Sequence, residues 1–137
     1  MAERRRNLLG AIVALVASLL TFALHQRLFD PPPPASPEYA VTGLVLANYT
    51  WGVAAVLFAV GVGVGYALRA TPVAAGAGLV LVGAGATCYE IVRYPTSHNL
   101  LPLDLIGWVV MASPLALGAL LGRRLRRWAG SGGLTGG

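Results

Sequence analysis

The chain has 137 residues, of which 56% are hydrophobic and 11% are charged, and its formal net charge is +5. A soluble domain of this size could not bury so much apolar surface, so the composition excludes an ordinary soluble protein and favours one surrounded by lipid. All the positive charge is arginine, and the arginines flank apolar segments instead of forming a basic groove, so no nucleic-acid partner is expected.

The first apolar segment covers residues 8–28 and follows the basic run Arg4-Arg5-Arg6. This order is also typical of a signal peptide, but the run is near spanning length and no small-x-small cleavage site follows it. We therefore expect it to be retained as the first transmembrane helix. The stretch 30–37, DPPPPASP, predicts an extended loop in water, because proline lacks an amide donor and lipid cannot satisfy bare carbonyls.

The second segment, residues 41–68, is predicted to be one continuous helix. At about 1.5 Å per residue it would be about 42 Å long. This exceeds a hydrocarbon core of about 30 Å, so the helix should tilt or project from the membrane. Thr71-Pro72 then predicts a helix start, with threonine as the N-cap and proline in the first helical position.

The third helix is predicted over residues 72–94, ending before Pro95, and the fourth over residues 102–127. Pro114 should bend the fourth helix, with Ser113 nearby to satisfy the freed carbonyl. Residues 129–137 are predicted to be a flexible tail. The chain is thus expected to be a single all-α domain, an integral membrane four-helix bundle with short loops.

Arginine is distributed very unevenly between the two predicted membrane faces. Eight arginines share one face with a single acidic residue, whereas the opposite face has two arginines and four acidic residues. The positive-inside rule therefore predicts a multi-pass protein of the cell inner or plasma membrane with both termini in the cytoplasm. The eight are Arg4, Arg5, Arg6, Arg69, Arg123, Arg124, Arg126 and Arg127.

Small residues recur at intervals that favour helix packing. In lipid, helices associate by close van der Waals contact, and glycine lets two backbones approach. We expect these faces to pack inside the bundle, with docking onto another copy or a partner subunit as the alternative. The predicted packing glycines are Gly61, Gly65, Gly78, Gly118 and Gly122.

Most polar side chains collect at the predicted outer boundary. Glu90 is the first candidate for a ligand, ion or proton site, since ionisable residues at membrane depth are functional candidates by default. The structural interpretation, which we favour, is a pair with Arg93, three residues along the same helix, that anchors the helix end. Asp104 would also complement the dipole of the fourth helix. The full set of ligand- or ion-binding candidates is His25, Asn48, Glu90, Arg93, His98, Asn99 and Asp104.

No catalytic residues, resident metal or cofactor are predicted. Three potential metal ligands, His98 with Glu90 and Asp104, lack a recognisable spacing. Haem held by His25 and His98 is an alternative, because imidazoles from different helices can ligate iron. Cys88 is the single cysteine, so no intramolecular disulfide can form, and we expect it to be buried.

These observations favour a non-catalytic accessory, assembly or stabilising subunit of a larger membrane complex, with its polar working surface on the extracytoplasmic side. Its partners would be the lipid bilayer and other membrane subunits or copies of itself. The first alternative is a small homo-oligomeric transporter or channel with Glu90 in the translocation path. The second is a membrane enzyme acting on lipid or quinone at the outer interface.

Overall fold

The computed structural model describes residues 2–31, 37–95 and 101–131. The described chain is all-α, which confirms the predicted fold class: a packed bundle with a short 3-10 turn, Pro37–Tyr39, before the second helix. The described residues form five α-helices: α1 Ala2–Phe29, α2 Ala40–Asn48, α3 Trp51–Leu68, α4 Pro72–Arg93 and α5 Leu101–Ser131.

Four of these helices are long and apolar enough to cross a membrane: α1, α3, α4 and most of α5. They form a ring in which α1 and α5 lie diagonally opposite, each packed between α3 and α4. The outward faces carry exposed aliphatic side chains, such as Leu20 and Leu81. Such faces are stable only in contact with lipid, so the protein is a multi-pass membrane protein.

The second apolar segment is divided, and the prediction of one continuous helix over residues 41–68 is wrong. Helix α2 ends at Asn48, and α3 begins at Trp51. Thr50 lies between them in an extended conformation, and its hydroxyl accepts a hydrogen bond from the Val53 amide. A threonine N-cap therefore starts a new helix where the apolar pattern alone shows no boundary.

The first and last helices are longer than predicted. Helix α1 begins at Ala2 and includes the arginine run, and α5 continues to Ser131, so residues 129–131 are helical and not part of a flexible tail. Arginine is a good helix former, and a helix does not have to stop where its apolar face stops. Residues 132–137 lie outside the described chain.

Two local predictions are confirmed. The Thr71 hydroxyl accepts a hydrogen bond from the Ala74 amide, and Pro72 is in the first turn of α4. In α5, Pro114 cannot donate to the helix ladder, and the Ser113 hydroxyl donates to the carbonyl of Val110 at 2.7 Å. The serine thus satisfies the carbonyl that the proline leaves without its helical partner.

Glycine sets the separation of α3 and α5. A Cβ atom on Gly61 or Gly65 would collide with the backbone of Leu115 or Ala119, so the two helices touch backbone to backbone. Gly118 and Gly122 make the reciprocal contacts with α3, and Gly78 lies against Ala11 and Leu15 of α1. All five predicted packing glycines therefore lie at contacts within this one chain.

Candidate functional site

Glu90 is fully buried, with 1% of its surface exposed, at the end of α4 where the short helix α2 begins. Its Oε1 atom accepts hydrogen bonds from the backbone amides of Val41 at 2.6 Å and Thr42 at 3.1 Å. Its Oε2 atom accepts a third from the Thr42 hydroxyl at 2.8 Å. The first amides of a helix have no partner within the helix, so the carboxylate caps α2 from a different helix.

This arrangement differs from the structural alternative expected for Glu90. The carboxylate takes its hydrogen bonds from α2 and not from Arg93, whose side chain is exposed in the last turn of α4. A carboxylate with three short hydrogen bonds and almost no exposed surface is poorly placed to exchange a ligand. Its three hydrogen bonds join α4 to the first turn of α2.

Helix α4 carries a second buried polar contact one turn before Glu90. Thr87 is fully buried, and its hydroxyl accepts a hydrogen bond from the Trp108 indole nitrogen of α5 at 2.9 Å. The same indole ring lies directly over Gly83, where a Cβ atom would collide with it. A buried tryptophan requires an acceptor for its N–H, and Thr87 supplies it.

A small cavity of about 170 Å³ lies beside this layer, between α2 and α5, and Asp104 lines it together with Thr42 and Trp108. Thr42 thus links the cavity to Glu90. The structure thus brings Asp104 and Glu90 to the same end of the bundle, each close to Thr42.

His25 and Asn48, two further candidates, are in direct contact. The Asn48 amide nitrogen donates to Gln26 Oε1 at 2.6 Å and to the Leu44 carbonyl at 2.8 Å. The other amide atom must then be oxygen, and it accepts a hydrogen bond from His25 Nδ1 at 2.9 Å. His25 Nε2 is left as an acceptor for the Thr50 hydroxyl, at 3.4 Å. This cluster joins the end of α1 to the break between α2 and α3.

Of the remaining candidates the structure describes only Arg93, whose side chain is exposed. His98 and Asn99 lie outside the described residues, and so do the haem and metal alternatives that depend on His98. Among the residues that are described, no group of three or more His, Cys, Asp and Glu side chains could hold a metal ion. Cys88 is exposed on α4, so the expectation that it is buried is wrong.

Several residues that organise these contacts were not singled out by the sequence pattern. Thr42, Thr87 and Gln26 look like ordinary polar positions within or beside apolar helices, and their partners are far away in the sequence. Trp108 offered the clearest signal, since a tryptophan in a helix interior needs a hydrogen-bond acceptor. The backbone break at Thr50 is the other missed feature.

The described helices form open grooves along the outside of the bundle. One lies between α4 and α5 and has a volume of about 470 Å³. Its lining is nearly all apolar and includes the small residues Gly76, Ala77, Ala112 and Ala116. Another lies between α1 and α3 beside His25 and has a volume of about 300 Å³.

Comparisons with protein-family models, with curated proteins and with solved structures find no match to this chain. Function is therefore inferred from the geometry and chemistry of the described residues.

Proposed function

We propose that this protein is a non-catalytic subunit of a larger membrane complex, and that the groove between α4 and α5 binds a transmembrane helix of a partner subunit. The groove is the observation that carries the proposal. It has a volume of about 470 Å³ and is open to the lipid side of the bundle. Small side chains along its floor would allow the backbone of another helix to approach closely.

The contacts of the other small residues support a docking role for the groove. The glycines of α3 and α5 are in contact with one another, and Gly78 of α4 is covered by α1. The groove positions Ala77 and Ala116 are only partly buried, and no helix of the described chain covers them. They form a helix-packing surface without a helix on it.

The buried polar groups support a non-catalytic role. Glu90, Asn48 and Thr87 each hold two helices of this chain together by hydrogen bonds. A catalytic or transported group needs access to its substrate, and these side chains are nearly inaccessible.

The proposed docking surface continues beyond the groove, toward the predicted extracytoplasmic end of α4. Val92 is 83% exposed and lies eleven residues after Leu81, which places it on the same face of α4 three turns closer to the predicted outer end. A partner helix in the groove would therefore continue past this exposed end toward the outer loops.

The test combines crosslinking in the native membrane with filling of the groove. A photocrosslinking amino acid at Ala77 should form an adduct with a distinct membrane protein, and Ala116→Leu should abolish that adduct by occupying the groove. Ala59→Leu, a matched change at an exposed position of α3, should leave it intact. Adducts with lipid alone, adducts with a second copy of this chain, or equal loss in both variants would each contradict the proposal.

The broken second segment favours a small homo-oligomeric transporter as a second candidate. Discontinuous helices form substrate sites near the membrane midplane in transporters. Here the break lies at one end of the spanning helix α3, beside His25 and the groove of about 300 Å³. Glu90 would then contribute by holding α2 in place. Purified protein in liposomes should conduct or accumulate a solute, and Thr50→Val should stop it without changing the oligomer. Absence of flux for every ion and solute class tested would favour the docking subunit.

A further inference from the structure

A basic pocket lies at the opposite end of the bundle from Glu90. It has a volume of about 340 Å³ and is lined by Arg69, Arg123, Arg126, Arg127 and Gly130. This volume is within the range of about 300–1,000 Å³ that is typical of small-molecule sites. Arg69 comes from the turn after α3, and the other residues come from the last turns of α5.

The arginines of α5 are spaced so that they share one side of the helix. Positions 123, 126, 127 and 130 follow the intervals of three and four residues that place side chains on one face. Arg124 is one residue out of this series, is exposed, and does not line the pocket. Helix geometry thus separates the pocket arginines from their neighbour.

Arg126 lines the pocket and is held in place by contacts with α3. Its Nη1 atom donates to the carbonyls of Tyr66 at 2.7 Å and Ala67 at 3.0 Å, which are among the last carbonyls of α3. The guanidinium also lies over the Tyr66 ring, 6.0 Å from its centre. A guanidinium group has five N–H donors, so donors remain on Arg126 after these contacts.

The pocket concentrates positive charge. Among the described residues its lining is arginine and glycine, with no carboxylate to balance the charge. Four guanidinium groups around one cavity repel one another, and an anion between them would remove that repulsion. Planar guanidinium groups match phosphate oxygens with paired hydrogen bonds, which is why arginine is common in phosphate sites.

The position of the pocket indicates where such an anion would come from. Arg69 directly follows the apolar helix α3, and Trp128, which is 68% exposed, neighbours the pocket arginines on α5. Exposed tryptophan beside arginine is typical of the headgroup layer of a membrane. Basic pockets between transmembrane helices at this level bind the headgroups of anionic lipids.

From this geometry we propose that the pocket binds a phosphate-bearing anion, with the phosphodiester headgroup of an anionic phospholipid as the ligand that best fits its position. Arg69, Arg123 and Arg127 supply the donors, and Arg126 is held in place by its contacts with α3. This inference does not depend on the docking proposal, because the pocket and the groove between α4 and α5 share no lining residue.

Native mass spectrometry of the full-length protein in a mild detergent tests the assignment. Phosphatidylglycerol and phosphatidylcholine are titrated separately, since they differ in headgroup charge. The pocket variant is Arg123→Gln/Arg127→Gln. The control is Arg5→Gln/Arg124→Gln, which removes the same charge from exposed positions that do not line the pocket. Helix content by circular dichroism should be equal in all three proteins.

We expect phosphatidylglycerol to bind at least tenfold more tightly than phosphatidylcholine, and the pocket variant to lose that preference while the control keeps it to within twofold. Equal losses in both variants, or no preference in the original protein, would overturn the proposal. Inorganic phosphate is then added as a competitor. Lipid binding that resists millimolar phosphate supports the headgroup, whereas displacement that depends on Arg123 and Arg127 supports a free phosphate as the ligand.

Discussion

Glu90 and Thr42 are joined twice: the carboxylate accepts one hydrogen bond from the threonine hydroxyl at 2.8 Å and another from its backbone amide at 3.1 Å. The two residues belong to different helices and lie 48 positions apart. A charged side chain at membrane depth is expensive unless it is fully bonded, and the first turn of α2 provides those bonds. The contact therefore stabilises the carboxylate and the short helix together.

Replacing Glu90 should reveal this capping role by the difference between two variants. Glu90→Leu leaves buried amides of α2 without an acceptor and should lower the free energy of unfolding by about 3 kcal/mol. Glu90→Gln keeps one oxygen for the amides, and the Thr42 hydroxyl can accept from the new NH₂ group, so its loss should be about 1 kcal/mol. Denaturant titration in bicelles measures both.

The control for this pair is Glu3→Gln, an exposed carboxylate in the first turn of α1, which should change stability little. Equal losses for the leucine and glutamine variants of Glu90 would contradict a role that depends on hydrogen bonding.

A second prediction concerns the contact between α3 and α5. Gly65→Ala places a methyl group against the backbone of Ala119, so the helices must separate, and we expect a loss of about 1–3 kcal/mol. Gly63→Ala, two residues earlier, meets open space and should be neutral or stabilising, because alanine has the higher helix propensity. Thermal unfolding in detergent compares them, and a Gly63 variant as damaged as the Gly65 variant would refute the backbone contact.

A third prediction concerns the pair His25 and Asn48. His25→Ala and Asn48→Ala are combined in a double-mutant cycle. The loss of unfolding free energy in the double mutant should be smaller than the sum of the two single losses by about 0.5–3 kcal/mol, as expected for residues in one network. The control is Val13→Ala, on the exposed face of α1. Its loss of unfolding free energy should simply add to that of Asn48→Ala. Additive losses for His25 and Asn48 would mean that their hydrogen bond contributes nothing to folding.

The fourth prediction is the orientation in the membrane. Cys88→Ser first removes the native thiol. Single cysteines are then placed at Glu38, before α2, and at Ser131, the end of α5. The positive-inside rule predicts that a membrane-impermeant maleimide labels intact cells at position 38 only, and position 131 after permeabilisation. Labelling in the reverse order would place the termini outside.

The fold was predictable from the sequence wherever neighbouring residues determine the local structure. Long apolar runs indicated the spanning helices, and Thr71-Pro72 indicated the start of α4. Ser113-Pro114 indicated that the serine hydroxyl would donate to the carbonyl that the proline leaves without a helical partner in α5. The break at Thr50 was not predicted, because a 28-residue apolar run can be one long helix or two short ones, and hydropathy does not distinguish them.

The candidate site was predicted as a list of residues but not as an arrangement. Glu90 was singled out because a carboxylate at that depth is unusual. Its partner could not be found from the sequence, since an uncapped helix start 48 positions away leaves no signal around Glu90. Asn48 and His25 were likewise both selected, but their contact depends on how α1 meets the break between α2 and α3.

The backbone contact between α3 and α5 also constrains how the chain is made. Gly61 and Gly65 meet Leu115 and Ala119 in the same order, so these two helices run parallel, with α4 between them in the sequence. At a synthesis rate of roughly 5–20 residues per second, α3 waits for several seconds in the membrane before its partner emerges. During that interval its glycine face is open to other helices, and a chain that stalls before α5 would keep it open. Synthesis of α5 thus covers the glycine face of α3 and ends its exposure to other helices.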